Sequence, residues 1–391
     1  MAARPTTADA ATIADVVRRF PALDGDVVRA ERWGSGHIHE TYRVRMSLGR
    51  DGLLQRINDR VFEDPRQVTD SIRRVTDHLR AKLRSRGEPD LDRRVLRLLT
   101  TDAGEACLHR ADDGSWWRAY PFLDGTRSHD QAPSPAEVRA AAAAVGAFQR
   151  DLADLPAPRL PETIPAFHHT PTRLEALRRA AEADPCGRAA DARPEFDFAL
   201  ARADLARSLL AAHEAGDVPE RITHNDTKIN NVLFDDATGQ AICVIDLDTV
   251  MPGLGLYDFG DMVRTSTSLT PEDERDLARV HAEPALFEAL AAGYVESMGN
   301  LLTPTERELL RLSGRLITYE LGMRMLTDHL QGDTYFRIAR PGQNLDRARA
   351  QAHVAHRRLD TAGLLDLSLG AQARLQDPLQ GGVVGCAHEV D

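Results

Sequence analysis

The stretch that decides the fold reads HNDTKINNVLF over residues 224–234, VIDLDT over residues 244–249 and YDFGD over residues 257–261. Its first run places Lys228 two residues after Asp226 and Asn231 five residues after it, ahead of an apolar Val-Leu-Phe strand. Its second run is an apolar strand end that delivers Asp246 and Asp248. Phosphoryl transfer from a nucleotide requires this combination of side chains.

Each of these side chains has a chemical role in such a transfer. One Asp orients the acceptor hydroxyl and takes its proton, while an Asn and a second Asp hold the magnesium that bridges the phosphates. We therefore expect Asp226 and Lys228 to be catalytic, with Lys228 stabilising charge on the moving phosphoryl group, and Asn231 and Asp246 to bind metal. A short loop and a hairpin can return all four to one cavity. The alternative is polar surface residues beside two strands, but their order and separation favour the kinase-like interpretation.

Length, composition and charge limit the other possibilities. A chain of 391 residues with 42% hydrophobic residues suits two lobes with a sizeable core. A net charge of −11 argues against nucleic-acid binding. Residues 1–12 lack the apolar core of a signal peptide, no stretch approaches a membrane span, and four scattered cysteines are typical of reduced thiols. We expect a cytoplasmic monomer or dimer that acts on a small molecule without nucleic acid or membrane.

The first 120 residues have the pattern of a nucleotide-binding β lobe. Strands over residues 27–33, 41–46 and 53–57 surround GSGHIH at residues 34–39, which could form a flap over phosphates or a plain hairpin. Arg56 in the third strand stands where kinases place a phosphate-binding Lys. A helix from Asp64 to about Leu83 offers Asp70 and Asp77 as acidic partners for Arg56, and the choice stays open.

Further strands are expected over residues 95–101, 106–110 and 115–123, and the segment around Tyr120 and Phe122 is expected to supply adenine contacts through its backbone. Residues 121–126 would be a hinge to a helical lobe over residues 127–370, with helix starts at Ser134, Thr270 and Thr303, a last helix over residues 344–365 and a flexible tail over residues 371–391. The sequence thus predicts an α+β, two-lobed protein-kinase-like fold, with a small antiparallel β lobe (residues 1–120) and a larger, mainly helical lobe.

The central stretch resembles the aminoglycoside phosphotransferase and choline kinase superfamily. The similarity narrows to the N-acetylhexosamine 1-kinases through GHI (36–38), LQRIN (54–58), VFEDP (61–65), IPAFH (164–168), VIDLDTVMPG (244–253), Arg324 with LTD (326–328), and GDTYF (332–336), in register from about residue 30 to 355. The resemblance implies ATP- and Mg²⁺-dependent phosphorylation of the anomeric hydroxyl of a hexosamine. It further implies that His37, Arg324 and Tyr335 contact the sugar.

One departure from that family concerns the flap, where Gly-His-Ile is followed by His39-Glu40 instead of Asn-Asp, so the accepted sugar can differ. Two other functions compete. An aminoglycoside phosphotransferase should line its pocket with carboxylates, whereas Arg324 suits a neutral sugar or an acyl carbonyl. A catalytically dead binding module should have lost part of the catalytic set, which is complete here. Arg324 could also be only a structural ion-pair partner of Asp328, four residues on.

Overall fold

The computed structural model describes residues 8–34, 36, 38–104, 106–131 and 134–357. Its N-terminal part is built on a five-stranded antiparallel sheet with the order β1-β2-β3-β5-β4. The strands are β1 (Val27–Arg32), β2 (Glu40–Met46), β3 (Gly52–Arg56), β4 (His109–Arg110) and β5 (Trp116–Pro121). Three helices belong to this part: α1 (Ala10–Val17), α2 (Pro65–Ser85) and α3 (Leu91–Arg94).

The two faces of this sheet carry different cores. Leu54 and Trp117 pack with the apolar residues of α1, whereas Leu53 and Tyr120 pack with those of α2. Successive side chains of a strand point to opposite faces, and residues paired across strands share a face. Arg56 therefore lies on the α1 face with its partner Trp117, while Gln55 and its partner Arg118 lie on the α2 face.

Local signals in this part predicted the helices better than the short strands. Asp64 caps α2 by accepting the backbone N–H groups of Arg66 and Gln67, as the sequence predicts. The strand expected over residues 95–101 is wrong, because α3 ends at Arg94 and an irregular extended segment follows. The Arg80 guanidinium donates to the Val95 carbonyl at 3.4 Å, so a side chain binds a group that a strand would use for its ladder.

The C-terminal part consists of helices around two small sheets. Its helices are α4 (Pro135–Asp151), α5 (Thr170–Ala183), α6 (Arg193–Leu200), α7 (Ser208–Glu214), α8 (Gly255–Ser266), α9 (Pro284–Met298), α10 (Pro304–Leu330) and α11 (Gln343–Arg357). The strands β6 (Thr126–Arg127), β8 (Val232–Asp235) and β9 (Ala241–Val244) form one antiparallel sheet, and β7 (Glu220–Thr223) pairs with β10 (Met251–Leu254) in the other.

The helix α10 runs through the core of this part and is buried along most of its length. Its start is the capping box that the sequence predicts: the Thr303 N–H donates to Glu306 at 2.8 Å, and the Glu306 N–H donates to Thr303 at 3.1 Å. A Cβ on Gly260 of α8 would lie 2.5 Å from the Ser313 carbonyl oxygen, so the crossing of α8 and α10 requires glycine there. This crossing fixes the height of α8 beneath the catalytic loop.

The predicted α+β kinase-like fold is confirmed, with one wrong helix start. No helix begins at Thr270, since the chain stays irregular until α9 and is held by the ion pairs Arg264–Glu272 (2.8 Å) and Arg340–Asp273 (3.0 Å). The predicted end of the last helix and the tail at 371–391 lie outside the described residues, and the predicted lobe boundaries stay predictions. Within the described ranges, no helix has the length and apolarity needed to cross a membrane.

Candidate active site

The loop between β7 and β8 brings together three of the four side chains that the sequence assigns to the chemistry. The Lys228 ammonium lies 3.0 Å from Asp226 Oδ2. Asn231 Nδ2 donates to the Asp226 carbonyl at 2.8 Å and to Asp226 Oδ2 at 3.3 Å. Because the amide nitrogen is used in this way, the acceptor that Asn231 can offer to a further partner is its oxygen Oδ1.

Electrostatics keeps Asp226 and Lys228 charged. Burial disfavours the charged carboxylate of Asp226, but the Lys228 ammonium outweighs it and holds the pKa of Asp226 below its ordinary value. The negative charge of Asp226, with a further contribution from Asp246, raises the pKa of Lys228. The site therefore presents an ionised carboxylate that can accept a proton, beside a cation.

The catalytic loop is held from below by Asp258 of α8. Its carboxylate accepts the backbone N–H groups of His224 at 2.9 Å and Asn225 at 2.7 Å, and the Gln149 side chain donates to it at 2.5 Å. Asn225 has a φ of +65°, in the left-handed region that non-glycine residues adopt at a cost. Its own side chain donates to the Thr249 carbonyl at 2.9 Å, which helps to hold that conformation.

Asp246 follows β9 and reaches the same cavity, since the N–H of its neighbour Ile245 donates to the Asn231 carbonyl at 2.9 Å. Asp246 is exposed to solvent on one side, and protein encloses it on the others. Its backbone is left-handed, with a φ of +61°. This enclosure and the carboxylates of Asp248 and Asp226 raise the pKa of Asp246. Uncompensated negative charge therefore gathers at this point of the cleft.

Asn231 and Asp246 fit a hard divalent cation. Amide and carboxylate oxygens are the ligands that Mg²⁺ prefers, and Mg²⁺ usually takes only one or two carboxylates together with substrate phosphates. Over the described part of the chain, no group of three or more His, Cys, Asp and Glu side chains forms a complete metal site. The residues present thus suit a cation that the nucleotide helps to hold.

Asp248, two residues further on, has a different partner. Arg118 of β5 donates to both of its carboxylate oxygens, at 2.8 and 2.5 Å. Both side chains are almost inaccessible, with exposed fractions of 1% for Arg118 and 3% for Asp248. Gln55 accepts two further hydrogen bonds from Arg118, at 3.0 and 2.9 Å. Asp248 therefore anchors the segment after Asp246 to the five-stranded sheet.

His39 and Glu40, the two residues at which this chain departs from the N-acetylhexosamine 1-kinases, contact other residues of the protein. His39 stacks on Phe62 with ring centroids 5.2 Å apart, and its Nε2 lies 3.2 Å from Asp248. Glu40 forms an ion pair with Arg56 at 3.6 Å. The replacement of Asn-Asp by His-Glu therefore changes a contact with the Asp248 segment, through His39, and a contact within the five-stranded sheet, through Glu40. His37, the predicted sugar contact of the flap, lies outside the described residues.

The phosphate-binding role of Arg56 stays a prediction, and the surroundings of its side chain do not favour it. Arg56 lies on the α1 face of the sheet, opposite to the face that carries Arg118, and its acidic partners are Glu40 and Asp113, the latter at 3.3 Å. Of the two candidates on α2, Asp70 binds a neighbouring arginine of the same helix at 2.6 Å. The cation that reaches the Asp248 segment from the sheet is Arg118, which the sequence reasoning missed.

The predicted adenine contacts of Tyr120 and Phe122 also stay a prediction, and part of the backbone there is already paired. Tyr120 is buried in the core and its backbone pairs with Leu53 in the sheet. The Phe122 N–H donates to the Asp51 carbonyl at 2.9 Å, so it is not available to a nucleotide base while this bond exists. The Phe122 ring lies 3.9 Å from the Arg43 guanidinium, which stacks on it. The Phe122 N–H is therefore paired within the protein just after the end of β5.

The predicted sugar contacts Arg324 and Tyr335 converge, from α10 and from the loop after it. The Arg324 guanidinium lies over three rings, those of Phe167 at 5.0 Å, Tyr335 at 5.8 Å and Phe336 at 5.8 Å, and we call these four residues the Arg324 cluster. Tyr335 is 54% exposed, so the cluster opens to solvent. Within the described part of the chain, no carboxylate forms a salt bridge with Arg324.

Asp328 holds the loop that carries two of these rings. Its carboxylate accepts the N–H groups of Thr334 and Tyr335 at 2.8 Å each and that of Phe336 at 2.9 Å. The carboxylate is thereby occupied by the loop backbone. The structural alternative for Arg324, an ion pair with Asp328 on the same helix, is therefore excluded.

The sequence reasoning assigned no role to His168, Glu320, Asp258 or Arg118, although all four reach the site or its supports. His168 bridges Glu320, at 2.8 Å, and the Asn225 carbonyl, at 3.0 Å. Two of these residues could have been found from the sequence, because each is a charged residue within an apolar segment. Arg118 lies in an apolar strand, and Glu320 lies in the middle of a buried helix. Charged residues in such positions are rarely buried without a partner.

Solved structures with the same fold are kinases of small molecules. A microcompartment-associated aminopropanol kinase is 17% identical, with a TM-score of 0.56, over 90% of this chain and 99% of its own. An amicoumacin kinase, in complex with AMP-PNP, Ca²⁺ and Ami, is 12% identical, with a TM-score of 0.58, over 90% of this chain and 94% of its own. A choline kinase from Cryptosporidium parvum is 13% identical, with a TM-score of 0.54, over 92% and 99%.

These likenesses confirm the kinase-like fold, and the sequence itself gives the family. A sequence model described as the phosphotransferase enzyme family matches residues 29–300, which include the flap, the hinge, the catalytic loop and Asp246. The chain belongs to this phosphotransferase enzyme family.

Proposed function

We propose that the protein transfers the γ-phosphoryl group of ATP, with Mg²⁺, to the anomeric hydroxyl of a hexosamine without a free ammonium group, such as an N-acetylhexosamine, or of a related neutral sugar. Membership of the family establishes a small-molecule phosphotransferase that uses ATP and a divalent metal. The observation that carries the assignment of residues is the Asp226–Lys228–Asn231 constellation, in which an ionised carboxylate lies beside a cation and accepts a hydrogen bond from the Asn231 amide nitrogen.

In this proposal Asn231 and Asp246 would hold the divalent cation, which when bound neutralises charge on the nucleotide phosphates. Asp226 orients the acceptor hydroxyl and takes its proton as the new O–P bond forms. Lys228 already lies 3.0 Å from Asp226 and would stabilise negative charge on the group in transfer. Asp258 keeps the loop fixed, so that these groups need no reorganisation during the reaction.

The Arg324 cluster supports a neutral acceptor. Arg324 offers only donors, which suit sugar hydroxyls or an acyl oxygen. Aromatic faces can hold an ammonium ion, but here a guanidinium already lies over all three rings. The carboxylate on α10 one turn before Arg324 is Glu320, which is buried and used by His168 and Thr170. An acceptor ammonium would therefore meet a positive charge without a compensating carboxylate.

The alternative is an aminoglycoside-type O-phosphotransferase. The observation in its favour is the exposed aromatic surface of Tyr335, which a rearranged Arg324 would leave free for a cationic substrate. Such a rearrangement would have to move Arg324 off three rings, and we therefore favour the neutral sugar.

A panel of acceptors tests the proposal directly. Purified protein is incubated with ATP, Mg²⁺ and, separately, N-acetylglucosamine, N-acetylgalactosamine, glucosamine, galactose and kanamycin, and ADP formation is followed. We expect kcat/KM for at least one neutral sugar to exceed that for kanamycin at least tenfold. The Asp226→Asn variant serves as the matched control, because ADP formation that continues in it at an undiminished rate does not depend on this base. Turnover of kanamycin above all sugars would refute the proposal.

A further inference from the structure

His168 and Glu320 form an ion pair in the interior, and both ring nitrogens of His168 face oxygen acceptors. Nδ1 lies 2.8 Å from Glu320 Oε1, and Nε2 lies 3.0 Å from the Asn225 carbonyl oxygen. A neutral imidazole has a single N–H and would point a lone pair at one of these oxygens. The ring is therefore held as an imidazolium that donates in both directions. Burial opposes this charge, but Glu320 outweighs it and raises the pKa of His168.

Packing alone does not explain why a charged pair, and not a pair of apolar residues, occupies this position in the interior. Glu320 of α10 also accepts the Thr170 hydroxyl at 2.6 Å, the Tyr257 ring of α8 lies 5.2 Å from the His168 ring, and Arg324 opposes protonation of His168. A buried ion pair is costly to desolvate, and apolar residues of similar volume often stabilise a fold as well or better. The contact that can give the pair a function is the one between His168 and the Asn225 carbonyl.

That carbonyl belongs to the peptide group that joins Asn225 to Asp226. The N–H of the same peptide lies 3.3 Å from His224 Nδ1. The peptide is thus held at its oxygen by His168 and approached at its nitrogen by His224. Because Asn225 is in the left-handed region, the surrounding structure must enforce this geometry. The Asp226 side chain extends from the next Cα, so a rotation of the peptide would displace its carboxylate.

The residue before His168 contacts the acceptor side of the site. The Phe167 ring lies under the Arg324 guanidinium, and Glu320 precedes Arg324 by one turn of α10. We propose, on the basis of the proposed function, that His168 is a positioning residue. As an imidazolium it fixes the Asn225–Asp226 peptide and connects the Arg324 cluster to the catalytic base.

Two amide replacements separate positioning from folding. The Nε2 of a glutamine occupies the position of His Nε2, so His168→Gln keeps a donor for the Asn225 carbonyl. The Nδ2 of an asparagine occupies the position of His Nδ1, so His168→Asn keeps only a donor for residue 320. Both are made together with Glu320→Gln, which prevents an unpaired buried carboxylate. The two double variants then share charge and functional groups, and they differ by one methylene group at position 168, which decides whether the amide reaches Asn225.

We expect the His168→Asn, Glu320→Gln variant to lose roughly tenfold to a hundredfold in kcat relative to the His168→Gln, Glu320→Gln variant, the scale that a displacement of about 1 Å produces. The KM for ATP and the urea midpoint should differ little between the two. Equal kcat in both, or a kcat difference matched by a difference in urea midpoint, overturns the proposal.

Two further measurements keep the outcome independent of the substrate assignment. In ¹⁵N-histidine-labelled wild-type protein at pH 6, both ring nitrogens of His168 should carry a proton, and one unprotonated nitrogen would contradict the imidazolium. Amide hydrogen exchange over residues 224–227 should be faster in the His168→Asn, Glu320→Gln variant, and equal exchange would contradict the positioning role. A wild-type protein that phosphorylates no acceptor refutes the proposed function instead, and these two readouts still decide on His168.

Discussion

Removing Asp248 should destabilise the fold, whereas removing the charge of Asp246 two residues earlier should not. In Asp248→Ala, the guanidinium of Arg118, 1% exposed, loses both bonds to its carboxylate. Removing one partner of a buried pair costs about 3–5 kcal/mol. Asp246 is open to solvent and binds no such partner in the described part of the chain. Asp246→Asn also keeps a residue type that tolerates the left-handed backbone at this position.

Urea unfolding followed by circular dichroism measures the free energy of unfolding of each variant. Calorimetric titration with ATP in the presence of Mg²⁺ measures its nucleotide affinity. We expect a large loss of unfolding free energy only in Asp248→Ala, and a loss of Mg²⁺-dependent nucleotide affinity without destabilisation in Asp246→Asn. The double change Asp248→Leu with Arg118→Met is the matched control and should recover most of the lost stability. If Asp248→Ala cost under about 1 kcal/mol and lost nucleotide affinity as Asp246→Asn does, Asp248 would be a metal ligand and our assignment would be refuted.

Three further predictions concern the base, the acceptor and pH. Asp226→Asn should lower kcat about 10²–10⁴-fold with ATP affinity retained, and near wild-type turnover would remove this residue from the mechanism. Arg324→Ala should raise KM for the sugar and lower kcat/KM by roughly one to two decades with KM for ATP unchanged; an unchanged sugar KM with a lowered melting temperature would assign it a structural role. The pair His168–Glu320 should contribute most stability between Glu320's ordinary pKa of 4.5 and His168's ordinary pKa of 6.5. Because the pKa of Glu320 is lowered in the folded protein, the stability that Glu320 contributes is lost as pH falls through this lowered pKa. Because the pKa of His168 is raised in the folded protein, the stability that His168 contributes is lost as pH rises through this raised pKa. Unfolding free energies of wild type and the His168→Gln, Glu320→Gln variant across pH 3–9, a range chosen to span roughly two units beyond both, should differ most inside this window, and a pH-independent difference would contradict the charged pair.

The catalytic loop was predictable because its groups lie close together in the sequence. Asp226, Lys228 and Asn231 are five residues apart at most, and a short loop leaves few ways to arrange them. The boundaries of α10 were predictable for the same reason, since Thr303 and Glu306 cap each other across one turn.

The predictions that failed, or that the structure does not favour, depend on contacts between residues that lie apart in the sequence. Arg56 and Arg118 lie on opposite faces of the sheet, and a one-residue difference in position along a strand exchanges the two faces. The sequence could not tell which arginine faced the cleft. The pair His168–Glu320 joins residues 152 positions apart, and no local pattern announces it. The helix expected at Thr270 failed because ion pairs with Arg264 and with the distant Arg340 hold that segment in an irregular conformation.

The central claim is that an anomeric hydroxyl of a neutral sugar receives the phosphoryl group. The most direct measurement is NMR of the product formed from the best sugar acceptor, with ATP and Mg²⁺, in which ³¹P coupling identifies the phosphorylated carbon. We predict coupling of phosphorus to the anomeric proton and to carbon 1, and its absence in the product mixture of Asp226→Asn. A phosphate on any other carbon of the sugar, or on an aminoglycoside hydroxyl when no sugar is phosphorylated, would contradict the claim.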